Sequence, residues 1–218
     1  MSEQNKKTLE VYDRLAQKYI DNTAVHDRMN PERAKERKAK IESFLLESFT
    51  KMPKGGKILE VGSGDGANAT FLRDAGFNVV ASDVAEPFLN SCHQKGLETL
   101  KLDIINNDLP NELSGILAWR VFVHFTKEDL EKTFSKIHSA LASGGIFVFN
   151  VFNRDDSGID EQWKDFPNEY MMGEERYFAY YAEPYIEALI KKTGFKLVTF
   201  FREGGKTGNK WLCYVVAK

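Results

Sequence analysis

Residues 57–68 read Lys-Ile-Leu-Glu-Val-Gly-Ser-Gly-Asp-Gly-Ala-Asn. A short apolar run ends in glycine at alternate positions, Gly62, Gly64 and Gly66, and a segment of helical period follows from Ala67. This is a strand handing over to a helix. Glycine lets the backbone turn sharply there, and it lets a ligand lie against the main chain with no Cβ in the way. Gly62, Gly64 and Ala67 also satisfy the G-x-G-x-x-G/A dinucleotide fingerprint, and an isolated glycine-rich turn can be no more than a tight connection. Taken alone, the stretch leaves its ligand open.

Outward from it the chain keeps the same texture. KILEVG (57–62), FNVVASD (77–83), ETLKLDI (98–104), SGILAWRV (114–121) and GGIFVFNV (144–151) are five strand candidates. Several are nearly continuous in apolar residues, as suits a sheet covered on both faces. Between them lie helical segments: about Ala67–Ala75 stopped by Gly76, Pro87–Lys95 stopped by Gly96, and Lys127–Leu141 stopped by Gly144 and Gly145. Thr126, with Asp129 three residues on, fits an N-terminal cap for the last of these. Alternating strands and helices predict a parallel α/β sheet.

Ahead of this unit, Leu9, Tyr12, Leu15, Ala16 and Tyr19 recur at spacings of three and four, one face of a helix over residues 3–20. Pro31 suits the first turn of a second helix running to about Phe49, whose first half, PERAKERKAK, reads as a solvated charged face. Beyond Asn153, residues 154–182 read as an irregular insertion. A helix over Pro184–Lys192 follows, closed by Gly194. FKLVTFF (195–201) and WLCYVVA (211–217), joined by the turn-rich REGGKTGNK, then predict an antiparallel hairpin, so the last strand runs against the others.

The acidic residues at successive strand ends narrow the ligand. Asp83 closes the second strand 21 positions after Gly62, the distance at which a carboxylate can accept from ribose hydroxyls, and Asp103 closes the third. In an open α/β sheet the carboxyl ends of the strands border the ligand crevice, so Glu60, Asp83 and Asp103 should converge there. Three anionic groups repel a pyrophosphate. They suit a ligand bearing an ammonium, a ribose and an exocyclic amine.

On these residues the chain resembles the class I S-adenosylmethionine-dependent methyltransferases, close to the type 11 and type 12 methyltransferase-domain group. Members carry E/D-x-G-x-G-x-G after the first strand, matched by Glu60 to Gly66, and acidic residues ending strands two and three, matched by Asp83 and by Asp103 followed by Ile104. LASGGIFVF looks like their L-x-P-G-G turn into strand five, with Ser143 in place of the proline. The resemblance implies a Rossmann-like doubly wound sheet, mostly parallel with an antiparallel last strand, helices on both faces and an N-terminal helical extension. It implies that the methionine part of S-adenosylmethionine lies over Glu60, Gly62, Ser63 and Gly64. Asp83, with Val84 beside it, then holds the ribose hydroxyls, Asp103 and the backbone at Ile104 read the adenine, and Tyr12 and Tyr19 close the cofactor from the amino-terminal side. One methyltransferase domain is expected over 1–218: a helical cap (1–52), a cofactor core (57–153), a substrate-side insertion (154–182), and a helix with the terminal hairpin (183–218).

The chain departs from the family at strand four, where Ser114 and Trp119 stand in place of an Asp and a small polar residue. Arg120 to His124 still looks like the R-V-L-x-H segment of some members, so Trp119 and Arg120 are expected against the methionine carboxylate. Methyl transfer asks above all for alignment. A general base is needed only when the acceptor must lose a proton early, and His124, just after strand four, is the candidate. His26, His93 and His138 lie away from strand ends. The acceptor pocket is expected from the amino-terminal helix and the insertion, where Trp163, Phe166, Tyr170, Tyr177, Phe178, Tyr180 and Tyr181 crowd within 19 residues. Such rings attract a sulfonium or an amine through their π faces, or else simply pack.

Composition bounds the partners. The 218 residues suit a single domain, and 30 basic against 32 acidic side chains leave a formal charge of −2. Non-specific nucleic-acid or anionic-membrane binding needs a basic excess. A nucleic-acid base is also a poor acceptor, since the Asn/Asp/Ser-Pro-Pro-aromatic motif of base-methylating enzymes is replaced by Trp119-Arg120-Val121-Phe122. Two dissimilar cysteines, Cys92 and Cys213, exclude a disulfide framework, and no Cys/His cluster suggests a metal. With no signal-like leader and no run of about 18 apolar residues, a cytoplasmic location is expected. The leading reading is transfer of a methyl group to an oxygen or nitrogen of a small molecule. A nicotinamide-dependent oxidoreductase and a non-catalytic S-adenosylmethionine-binding protein are the alternatives.

Overall fold

The computed structural model describes residues 1–29, 31–154, 158–165, 174–204 and 210–218. Two helices come first, α1 (Glu3–Met29) and α2 (Pro31–Phe49). The first is longer than its apolar face predicts, because neither glycine nor proline interrupts the chain before Pro31. Next come β1 (Lys57–Val61), α3 (Ala67–Asp74), β2 (Asn78–Asp83), α4 (Glu86–Gln94), β3 (Glu98–Lys101), β4 (Leu113–Ala118), a 3₁₀ turn (Phe122–His124), α5 (Lys127–Ala140) and β5 (Leu141–Asn153). The strands lie in the order β3-β2-β1-β4-β5, all parallel. Both faces are buried, which accounts for the near-continuous apolar strands. Leu59, Phe147 and Phe149 pack with Phe134 and Ile137 of α5 on one side. Ile58 and Val148 pack with Leu45 and Phe49 of α2 and Leu72 of α3 on the other.

Two sequence expectations are corrected. Gly144 and Gly145 do not stop α5: Thr126 caps the helix through the amide of Asp129, as expected, but the helix ends at Ala140 and passes straight into β5. Leu113 pairs with Leu141 and Gly115 with Ile146, so the extra residues bulge on β5, and Gly144, at φ 74°, sits in the bulge. The insertion is not irregular throughout. It contains β6 (Glu161–Lys164) and β7 (Arg176–Tyr181), an antiparallel pair. β4 leaves β5 at Phe149, and β7 pairs in parallel with the edge beyond it, Phe152 with Tyr180 and Asn153 with Tyr181. β6 is too short and too charged for alternation to reveal it, and β7, aromatic and buried along nearly its whole length, has no alternation to read. Their consequence is positional, since β7 stands at the exit of β4.

The chain ends with α6 (Glu183–Lys192) and the antiparallel hairpin β8 (Lys196–Glu203) and β9 (Trp211–Ala217), with β9 antiparallel to β5. The centre of the predicted turn, residues 205–209, lies outside the described residues. Among the described residues no helix is long and apolar enough to cross a membrane.

Gly66 ties the strand-to-helix turn to the layer beneath it. It caps α3 at φ 80°, and a Cβ placed there would stand 2.7 Å from Cys92 Sγ and 3.0 Å from Leu97 Cδ1. Gly66→Ala is expected to cost about 1–2 kcal/mol in urea unfolding, the left-handed penalty for a residue with a Cβ. An unchanged midpoint would show that the turn relaxes freely.

Candidate functional site

The carboxyl ends of β1, β2 and β4, the loop after β3, and the inner faces of α1 and α2 enclose a cavity of about 430 Å³. Every residue picked out for cofactor contact borders it, from Tyr19 through the Glu60–Gly64 stretch, Asp83, Val84, Asp103 and Ile104 to Trp119 and Arg120, and so does His124. A parallel sheet brings these separated positions together because each strand ends on the same side.

The floor is the glycine loop. Gly62 and Gly64 have φ of 62° and 54°, and a Cβ on Gly64 would meet nothing within 4 Å, so this backbone faces open space. Glu60 is buried. Its Oε1 accepts from Asn68 Nδ2 at 3.0 Å, while its Oε2 is buried without a partner. Burial pushes its carboxyl up to about 8, which the nearby Asp65 and Asp83 reinforce against the Asn68 hydrogen bond.

Asp83 is also buried and raised by desolvation, although its two oxygens accept from Gly64 N and Ala85 N, each at 3.0 Å. The carboxylate thus ties the glycine loop to the end of β2 while bordering the cavity. Asp103 lies two residues beyond β3 rather than closing it, and builds its own turn: Oδ1 accepts from Ile105 N at 2.9 Å and Oδ2 from Asn106 Nδ2 at 2.7 Å. Lys136 of α5 pins that turn by donating to the carbonyls of Ile104, Ile105 and Asn107. At the exit of β4, Trp119 is buried with its Nε1 donor unpartnered. Arg120 is exposed, with its guanidinium carbon 5.3 Å from the centroid of the Trp211 ring. Its backbone takes φ 64°, sparsely populated for a residue with a side chain, and Asn150 Oδ1 accepts from its amide at 2.6 Å. Strain of this kind is held in place by its surroundings and clusters at ligand sites.

The opposite wall carries a polar chain that no motif announces. His124 is buried, with Nδ1 2.7 Å from the Tyr177 carbonyl and Nε2 2.9 Å from Tyr12 Oη. Carbonyls only accept, so the partners assign the proton to Nδ1 and leave Nε2 to accept from the phenol. Tyr12 Oη accepts in turn from Arg176 Nη1 at 3.0 Å. Burial brings His124 down to about 4; the Tyr177 carbonyl opposes that shift and the Arg176 charge adds to it. Asn5, beside them on α1, donates to the His124 carbonyl at 3.1 Å.

The insertion does less at the cavity than its composition predicts. Phe166 and Tyr170 lie outside the described residues. Trp163 is exposed, Tyr177, Phe178 and Tyr181 are buried as packing, and none of the described rings borders the cavity. Tyr181 braces the 3₁₀ turn instead, donating to the carbonyls of Phe122 and Phe125. The lid comes from α1, through Asn5, Leu9, Tyr12, Tyr19 and Thr23, and from α2, which brings Lys35, Arg37 and Lys38 of its expected solvated face to the rim.

A family model described as a methyltransferase domain matches residues 33–199. The glycine/sarcosine N-methyltransferase of Halorhodospira halochloris is 28% identical over 136 residues, 56% of this chain, and the match spans about half, 51%, of that relative's length. Among solved structures, an S-adenosylmethionine-dependent methyltransferase from Clostridium acetobutylicum ATCC 824 superposes with a TM-score of 0.71 at 18% identity, covering 91% of this chain and 98% of that one. The 1,6-didemethyltoxoflavin-N1-methyltransferase of Burkholderia thailandensis gives 0.64 at 18% identity, covering 93% and 87%. At these identities the two structures establish the shared fold.

Proposed function

The chain belongs to the methyltransferase-domain family, and from that premise we propose that it transfers a methyl group from S-adenosylmethionine to a nitrogen or oxygen atom of a small molecule, nitrogen being the better fit. The observation that carries the reading is the unfinished chemistry around one cavity. Glu60 Oε2 and Trp119 Nε1 are buried without partners, and Gly64 opens onto free space. The residues present fit the cofactor. Glu60 suits its ammonium group, Trp119 and Arg120 its carboxylate, and Asp83 its ribose diol, while Asp103, Ile104 and the turn held by Lys136 frame the base. When bound, S-adenosylmethionine supplies an electrophilic methyl group on a sulfonium.

The protein's own part is placement and the exclusion of water, and alignment of this kind contributes on the order of 7–11 kcal/mol to a bimolecular barrier. The cavity of about 430 Å³ falls within the range of small-molecule pockets and is lined by the residues assigned to the cofactor. The N-methyltransferases of Halorhodospira and Burkholderia point to nitrogen as the accepting atom. So does His124. A histidine lowered to about 4, with Nε2 already engaged by Tyr12, is a weak base, adequate for a neutral amine and poorly suited to an alcohol. We assign it to holding Tyr12 in place.

Calorimetric titration is expected to show S-adenosylmethionine and its demethylated product binding and NAD not binding. Tighter binding of NAD would sink the reading. Turnover on a panel of amines and hydroxyl compounds separates an enzyme from a protein that only binds the cofactor. For His124→Asn, kcat is expected to fall less than about 100-fold, the lower bound of what losing a general base costs. A larger fall, with cofactor affinity retained, would restore His124 as the base.

A further inference from the structure

Arg176 opens β7 and is buried, with 4% of its surface exposed. A buried guanidinium ordinarily carries a carboxylate with it, because an unpaired charge out of water costs several kcal/mol. Here the pattern is inverted. The more exposed Arg14, Arg154 and Arg202 each hold an acidic partner within 3 Å, and Glu174, two residues before Arg176, turns outward to Arg14 at 2.9 Å. Among the described residues Arg176 pairs with no carboxylate. Its Nη1 donates to Tyr12 Oη, its guanidinium carbon lies 5.6 Å from the Tyr12 ring centroid and 5.2 Å from that of Phe178, and Nε and Nη2 have no partner.

Those two nitrogens form one edge of the guanidinium, the edge that takes a carboxylate through two parallel hydrogen bonds. On the same wall Asn5 Oδ1 is buried and accepts from nothing, although Asn5 Nδ2 is engaged by the His124 carbonyl. Asn5, Tyr12 and His124 all border the cavity, and Tyr12 joins Arg176 to it by a single hydrogen bond. At this end of the cavity, marked by Asn5, Tyr12 and His124, a buried oxygen lacks its N–H donor, and one hydrogen bond behind Tyr12, off the lining itself, a buried guanidinium edge lacks its anion.

We propose that this end is the acceptor subsite, in which a carboxylate of the methyl acceptor docks on the Nε/Nη2 edge of Arg176 and an N–H of the same molecule donates to Asn5 Oδ1. The acceptor class is a small amino carboxylic acid. Both nitrogens are shielded from solvent, so α1, which carries Asn5 and Tyr12, is the element that shifts to admit it. The identification of the ligand as the acceptor rests on the methyl-transfer reading; the anion site itself does not.

The test titrates acetate, with acetamide as neutral control, into the full-length protein with and without S-adenosylhomocysteine, following the imidazole resonances of His124. Acetate is expected to shift them saturably and acetamide to leave them unmoved. Arg176→Gln should weaken the acetate response about tenfold or more, with Arg176→Lys between the two. Indistinguishable responses to acetate and acetamide, or an acetate response surviving in Arg176→Gln, would overturn the proposal. If Arg176→Gln fails to fold, the wild-type comparison decides alone. Acetate binding without S-adenosylhomocysteine binding keeps the anion site and removes the methyl-transfer reading. The reverse result removes the anion site and keeps that reading.

Discussion

Asp83→Ala is expected to weaken binding of S-adenosylhomocysteine by about 2–3 kcal/mol, roughly 30- to 150-fold. The expectation rests on the double duty of this carboxylate. Its oxygens accept from Gly64 N and Ala85 N, each at 3.0 Å, so it holds the one loop backbone that opens freely to the cavity while bordering that cavity itself. Alanine removes the acceptor offered to a ribose hydroxyl and at the same stroke releases the Gly64 amide from its anchor. Asp83→Asn keeps one acceptor oxygen, so it should lose about tenfold, nearer a single charged hydrogen bond. Asp103 makes a contrasting control. Its oxygens are occupied by Ile105 N and by Asn106, and Lys136 holds the same turn independently, so Asp103→Asn should cost less than Asp83→Asn. Calorimetry on folded variants, checked by near-ultraviolet circular dichroism, measures both. Unchanged affinity in Asp83→Ala would take Asp83 out of the site.

The positions at strand ends were legible because they rest on a local code. Gly62 to Gly66, Asp83 and Asp103 stand where an apolar run meets a turn, and a parallel sheet gathers strand ends whatever else the chain does. What was illegible depends on contacts between distant segments. The link from Arg176 through Tyr12 to His124 joins positions more than a hundred residues apart, and it exists because β7 takes the place of β4 along β5. Lys136 and Asn150 serve the site from α5 and from the middle of β5, with no spacing to mark them. The aromatic insertion misled for a related reason. Composition reports that rings are close in sequence, yet burial of β7 on both faces and the brace from Tyr181 to the 3₁₀ turn decide that they pack rather than face a ligand.

Between pH 6.5 and 8 the buried Glu60 carboxyl is expected to cost the unliganded protein about 2 kcal/mol of unfolding free energy, and Glu60→Gln should remove that part of the loss. Burial raises the Glu60 carboxyl from 4.5 in the unfolded chain to about 8 in the folded one. Between those values the folded state binds the extra proton, so stability falls as pH rises. His124 acts oppositely. Lowered from 6.5 to about 4, it stays neutral in the folded state while the unfolded chain takes up a proton, so its contribution is complete above 6.5 and lost as pH falls. From 4.5 to 6.5 the slopes of Glu60 and His124 oppose each other, and above 6.5 that of His124 is gone while Glu60 continues, with the raised Asp83 carboxyl acting in the same direction as Glu60. The free energy of urea unfolding should therefore fall more steeply with pH above 6.5 than below it, and Glu60→Gln should be the more stable of the two relative to its own value at pH 6.5 as the pH approaches 8. The same group links pH to the ligand. An ammonium placed beside Glu60 favours the ionised carboxylate, so S-adenosylhomocysteine should release close to one proton at pH 7, read by calorimetry in two buffers of different ionisation enthalpy. The release should vanish in Glu60→Gln and shrink for an analogue lacking the amino group. Binding with no buffer dependence would mean that Glu60 does not meet the ligand's positive charge.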